Sequence, residues 1–99
     1  MRFEWDEEKA RSNLAKHKVA FDVAIKVFED VSAVSVMDRI VDDEERWRTV
    51  GRVGLTTILF VAHTWLDESG EVFVRVISAR KATRHEVQGY ETGHERYLR

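Results

Sequence analysis

The sequence predicts an α+β domain: an N-terminal short strand and a helical hairpin packed on an antiparallel four-strand meander, closed by a C-terminal helix. Three observations point there. Two helix signatures precede residue 30, the apolar period shifts from helical to alternating at about residue 32, and a capping box stands at residues 83 to 86.

Taken in order, "RFEW" (2–5) is an apolar and aromatic stretch suited to an edge strand. Asp6 follows in N-cap position, with Glu7 and Glu8 in the first turn against the positive end of the helix dipole, so a helix is expected over 7–17. Trp5 and Ala10 occupy the positions of a hydrophobic staple. Phe21, Ala24, Ile25 and Phe28 recur at i, i+3, i+4 and i+7, which gives a second helix one apolar stripe. The short "HKVA" link makes the two a hairpin whose apolar faces cover one side of a sheet.

Four strands follow in "SAVSVMDR", "RWRTVGRV", "TTILFVAHT" and "EVFVRVISAR". The turns are expected at "DDEE" (42–45), "GRVG" (51–54) and "LDESG" (66–70). Thr83 and Glu86 match the capping box, so the last helix starts at Arg84, and Gly89 and Gly93 keep it short. With no proline, repeat or low-complexity segment, residues 1–99 read as one domain.

A 99-residue chain buries roughly 60 to 70 % of its unfolded surface, enough for one core. The absence of cysteine removes disulfides, thiolate metal sites and cysteine nucleophiles. No stretch reaches the roughly 20 apolar residues of a membrane helix, and the N-terminus lacks a signal-peptide core, so the protein is expected in the cytoplasm with no membrane partner. The four histidines, at 17, 63, 85 and 94, form no i, i+4 pair, so no metal is expected. Without GxGxxG, a phosphate-binding GKS/GKT or GxSxG, no nucleotide cofactor or serine-hydrolase chemistry has support.

Charge is unevenly spread. Residues 1–74 hold ten Lys/Arg against fifteen Asp/Glu, and residues 75–99 hold six against three, so the overall −2 conceals a basic end. There "RVISARKATRHE" (75–86) runs a β-branched strand into Arg80, Lys81 and Arg84 at the start of a helix. RNA cleavage without metal needs a base for the 2′-hydroxyl, an acid for the 5′-oxygen and fixed positive charge for the phosphorane. Arginine suits the last task through its planar fork and permanent charge.

A regular strand would set Val72, Val74, Val76, Ser78 and Arg80 on one face, with Arg80 beyond the last packed layer, and Phe73, Arg75, Ile77 and Lys81 on the other. The alternative for Arg80 is a pair with a carboxylate of the first helix. Arg84, at the first helical position, opposes the helix dipole unless an anion or solvent is near. Glu86 is a base candidate or simply the cap. His63, in phase with Leu59 and Val61, is a proton carrier or a half-buried strand histidine. Tyr90 offers a hydroxyl or helix-face packing. Lys81, Arg75, Lys9 and Lys16 are the candidate RNA contacts, the last two sharing a polar helix face with Asn13. Trp47 and Trp65 either stack on bases or are buried.

The segments "FEWDEEKARSNLAKHKVAFDVAIKVF" (3–28), "EERWRTVGRV" (44–53), "LFVAHT" (59–64) and "RVISARKATRHEVQGYE" (75–91) resemble the BrnT family of bacterial type II toxins. "NLAKHKVAF" together with "ISARKAT" is the specific pair. The resemblance implies a RelE-like fold and a ribonuclease that halts translation by cutting RNA. It implies a cognate antitoxin with a ribbon-helix-helix region, through which alone the complex reaches operator DNA. Arg80 and Arg84 carry over from "ISARKATR", with His63, Glu86 and Tyr90 after them. Set against this are a nucleic-acid-binding module without catalysis and a pure protein-interaction domain.

Overall fold

The computed structural model describes residues 1–98, the side chain of Tyr97 excepted. Its elements are β1 (Arg2–Glu4), α1 (Glu7–His17), α2 (Phe21–Ala24) running into a 3-10 segment (Ile25–Glu29), β2 (Val34–Val41), β3 (Glu44–Val53), β4 (Thr57–Thr64), β5 (Leu66–Glu68), β6 (Glu71–Lys81), α3 (Arg84–Thr92) and a 3-10 turn (Glu95–Leu98). The α+β class and the early helices agree with the sequence. The sheet does not stop at a four-strand meander: it has six strands and is mixed, ordered β1-β6-β4-β3-β2, with β1 parallel to β6 and β5 paired to the first half of β6.

Both long helices start where their caps require. The Asp6 carboxylate accepts from the Glu8 and Lys9 N–H groups at 2.8 and 3.1 Å, satisfying two donors that the helix leaves open. Thr83 and Glu86 form the full capping box of α3, and Gly93 ends that helix in the left-handed region at φ 71°. The second helix is only one α-turn before it tightens to 3-10, although its apolar stripe still points inward.

All three expected turns are corrected. "DDEE" contributes only Asp42 and Asp43, at φ 51° and 65°, a pair of left-handed residues that suits a tight hairpin, while Glu44 and Glu45 belong to β3. "GRVG" is not a turn at Gly51, which is buried inside β3. A Cβ there would stand 3.0 Å from the Val27 Cβ, so the glycine permits the close approach of the 3-10 segment to the strand. "LDESG" likewise yields β5 before its turn.

The sheet separates two cores. On one face Val19, Phe21, Ala24 and Val27 pack on Leu59, Val61, Val76 and Ala79. On the other Val36, Val50, Phe60 and Leu98 meet Tyr90 and Ala82. Strand β6 is irregular between them. Phe60 faces Arg80 and His63 faces Val76, so β6 carries one extra residue, a bulge. The single-face reading of Val72 to Arg80 is therefore overturned: Val76 points to α1 and α2, Arg80 to the opposite side with Phe60. The free edge of β6 beyond β1 is sealed by Asn13, whose amide donates to the Ala79 and Val19 carbonyls at 2.8 and 2.9 Å and accepts from the Ala79 N–H at 3.1 Å. Asn13 is thus buried and structural rather than part of a solvated basic face.

Candidate nucleic-acid interface

The junction of β6 and α3 gathers three of the predicted residues. Arg80 lies over the Phe60 ring, its guanidinium carbon 4.1 Å from the centroid. Both of its terminal nitrogens donate to the Glu86 carboxylate, at 2.8 and 3.0 Å. Its partner is thus the cap residue of the next helix and not a carboxylate of α1. One Glu86 oxygen also accepts from the Thr83 N–H at 2.9 Å. Burial alone pushes the Glu86 carboxyl up, but the bonds from Arg80 and Thr83 outweigh it and hold the group below its ordinary value. Glu86 is therefore an ionised, weakly basic group as long as Arg80 occupies it. Arg84, two residues before Glu86, is exposed, and its side chain has no hydrogen bond or ion pair to the described residues.

Tyr90 stands on the same face, packed beside Phe60. Its hydroxyl donates to Asp30 at 2.7 Å, and burial followed by that carboxylate raises its pKa, keeping the proton on the phenol. Asp30 also accepts from the backbone of Ser32 and Arg52, which ties α3 to the end of the 3-10 segment and to β3.

The sequence reading missed a row of arginines. Phe60 pairs with Val50, so the residues of β3 that share the Arg80 face are Arg46, Arg48, Val50 and Arg52. Arg48 donates to Asp38 at 3.0 Å and to the Leu98 carbonyl at 2.9 Å. Arg46 stands 3.6 Å from Glu44, and its Nε is buried with no acceptor among the described residues. The signal was present as the two arginines of "RWR" with a third at Arg52, obscured because strand faces cannot be told apart before the register is known.

The remaining candidates lie elsewhere. His63 is 1 % exposed and belongs to the opposite face, edge-on to Phe28 at 4.8 Å. Its Nδ1 donates to the Thr64 carbonyl at 2.9 Å, so the neutral ring accepts at Nε2 from Thr49, 2.7 Å away. Burial lowers its pKa to about 4, against the raising effect of Thr64. Of the two readings of His63, the structure gives the buried strand histidine held by its neighbours, and it lies on the face away from Arg80. Arg75 is engaged with a carboxylate, as Arg80 is. Its fork is closed on Glu44 by bonds of 2.8 and 2.7 Å, the chief reason its pKa is raised. Lys81 is exposed and pairs with Leu59, which places it on the side away from Arg80. Lys9 and Lys16 are exposed on α1, around the shallow cleft formed with Ile77 and Ser78. Trp47 and Trp65 are half-buried at the far end of the sheet.

What the junction can do is bind an anion with two guanidinium groups, one held rigidly and one free. Among the described residues there is no cluster of three or more metal-ligating side chains, and no helix is long and apolar enough to cross a membrane. Residues 5–86 match the model of a family described as the ribonuclease toxin, BrnT, of the type II toxin-antitoxin system. No curated protein matches the chain.

Proposed function

The chain belongs to the BrnT family of type II toxin–antitoxin ribonuclease toxins, and we propose that it is a metal-independent endoribonuclease of the cytoplasm that inhibits translation by cutting RNA at the β6–α3 junction. The observation that supports this most is the Arg80 fork. It is fixed from below by Phe60 and closed on a carboxylate that occupies the place a phosphate would take.

In this reading Arg80 and Arg84 bind the scissile phosphate and offset the charge of the phosphorane. A phosphate that takes over the Arg80 fork removes from Glu86 the strongest of the bonds that depress its pKa and leaves those from Thr83. Burial is then less opposed and the proton affinity of the carboxylate rises, the direction a general base for the 2′-hydroxyl needs. Tyr90 keeps its proton and is the acid candidate on the same face. Lys9, Lys16 and Lys81 are left as exposed cations for flanking backbone. A cognate antitoxin with a ribbon-helix-helix region neutralises the toxin by covering Arg80 and Arg84, and operator DNA is reached only through it. The RelE-like relationship of the fold belongs to the same proposal.

The test is RNA cleavage in EDTA by the parent and by the Arg80→Ala, Arg84→Ala double variant. Scission by the parent alone is expected, and equal cleavage by both removes the junction from the mechanism. One observation favours a non-catalytic binding module: Glu86 and Tyr90 are both already engaged. That reading predicts salt-sensitive RNA binding with no broken strand over hours.

A further inference from the structure

At the other end of the sheet, where β4 stops at Thr64 and β6 continues with β5, a cleft of about 520 Å³ opens. Its walls are aromatic and apolar. Trp47 and Trp65 are both half-buried, with ring centroids 6.2 Å apart and planes tilted by 47°. Leu66 and Phe73 line it with 53 % and 36 % of their surface exposed. Its rim is anionic: Glu4, Asp43, Glu45 and Asp67 are exposed, and none has an ion pair with the described residues. The one cation of the lining, Arg75, is already neutralised by Glu44.

We propose that this cleft docks an arginine- or lysine-bearing segment of a partner protein. The chemistry of the lining selects that occupant. Nucleic acid is repelled by a rim of four carboxylates, of which only Glu4 feels the charge of Arg75, and an apolar segment would strip water from them without return. A long cationic side chain satisfies both parts. Its aliphatic stem lies on Leu66 and Phe73, its charged head meets the rim, and the indole faces add cation–π attraction. Grouping five carboxylates around one arginine costs self-repulsion in the free protein, which a basic partner relieves. The cleft begins about 16 Å from Arg80, five residues along β6. It is therefore separate from the basic junction, and the inference does not depend on the ribonuclease reading.

The test titrates the full-length protein with a capped hepta-arginine peptide and follows tryptophan emission. Saturable binding is expected, about tenfold weaker in the Asp43→Asn, Glu45→Gln, Asp67→Asn variant. These changes preserve folding, because asparagine tolerates the left-handed turn and glutamine still accepts from the Trp47 indole N–H. A control variant with the same charge change elsewhere, Glu8→Gln, Asp22→Asn, Glu91→Gln, is expected to bind like the parent, and Trp65→Leu to lose most of the emission change. Absence of saturable binding, or equal weakening in both triple variants, overturns the proposal. Direct binding of an uncleavable oligouridine analogue that is weakened in the cleft variant and kept in the control variant assigns the cleft to RNA and overturns it too. RNA cleavage measured alongside is expected to persist in the cleft variant, so failure here leaves the nuclease reading standing.

Discussion

Under α1 and α2, the polar residues Asn13, Thr49 and His63 are buried and engaged with neighbouring chain: Asn13 with Ala79 and Val19, and Ser35, Thr49, His63 and the Thr64 carbonyl in a line across three strands. On the α3 side, Arg48, Arg75 and Arg80 also have partners, but these are carboxylates at the surface that another anion can replace. The difference is one of replaceability. Water cannot reach the first set, so its bonds are structure; the second set lies within reach of solvent, so its bonds are exchangeable.

The largest expected effect breaks the first set. Asn13→Ala leaves two carbonyls and one N–H buried without partners, for a loss of about 3 kcal/mol and a fall in Tm of roughly 15 °C. Thermal and urea unfolding measure it. A fall of only a few degrees would mean that water replaces the side chain and that the β6 edge is not sealed.

Next in size is a pH effect confined to the buried side. With its pKa lowered to about 4, His63 stays neutral in the fold while the unfolded chain takes up the proton from about pH 6.5 downward. Its contribution is therefore complete above pH 6.5 and is lost as pH falls toward 4, by about 3 kcal/mol in total. Glu44, Glu86 and Asp30, whose pKa values are also lowered, lose their contributions from the ordinary carboxylate range downward, so the two glutamates begin to lose theirs before that of His63 is gone. His63→Gln is expected to flatten the stability curve between pH 6.5 and 4. An unchanged slope would locate the titrating group elsewhere.

These two residues also show where the sequence was legible. Asp6 and the Thr83–Glu86 box are local signals, complete within four residues, and they place α1 and α3 correctly. The roles of Asn13 and His63 depend on partners 66 and 14 residues away, which no local pattern reveals. The extra residue in β6 matters most for function. It reverses the face of every side chain after it, and so it separated Arg80 from Val76 and brought it to the β3 arginines. Strand β5 escaped because Asp67, Glu68 and Gly70 read as a turn, and only pairing with β6 makes Leu66–Glu68 a strand.

A sharper test of exchangeability is Glu86→Gln. The glutamine keeps an acceptor for the Thr83 N–H, so the cap survives, but the charge opposite Arg80 is lost; about 1 kcal/mol of stability should go with it. If Arg80 is the phosphate ligand, the same change raises RNA affinity several-fold while removing cleavage, because the fork is freed and the base is gone. Fluorescence anisotropy with an uncleavable 2′-deoxy strand separates the two effects. Lower stability with unaltered affinity would make the Arg80–Glu86 pair as structural as the bonds around His63.

The smallest effect on the fold belongs to the residue with the least to hold it. Arg84 opens α3 with a positive charge at the positive end of the dipole and no partner among the described residues, so Arg84→Ala should leave stability unchanged within about 0.5 kcal/mol or raise it slightly. Its effect should appear only with RNA present: the slope of log affinity against log salt falls by about one as a single phosphate contact is lost. A cation at the positive end of a helix, with no partner among the described residues, is placed to meet an anion that comes from outside. An unchanged salt slope would leave Arg84 as a solvated side chain and shift the phosphate contact to Arg80 alone.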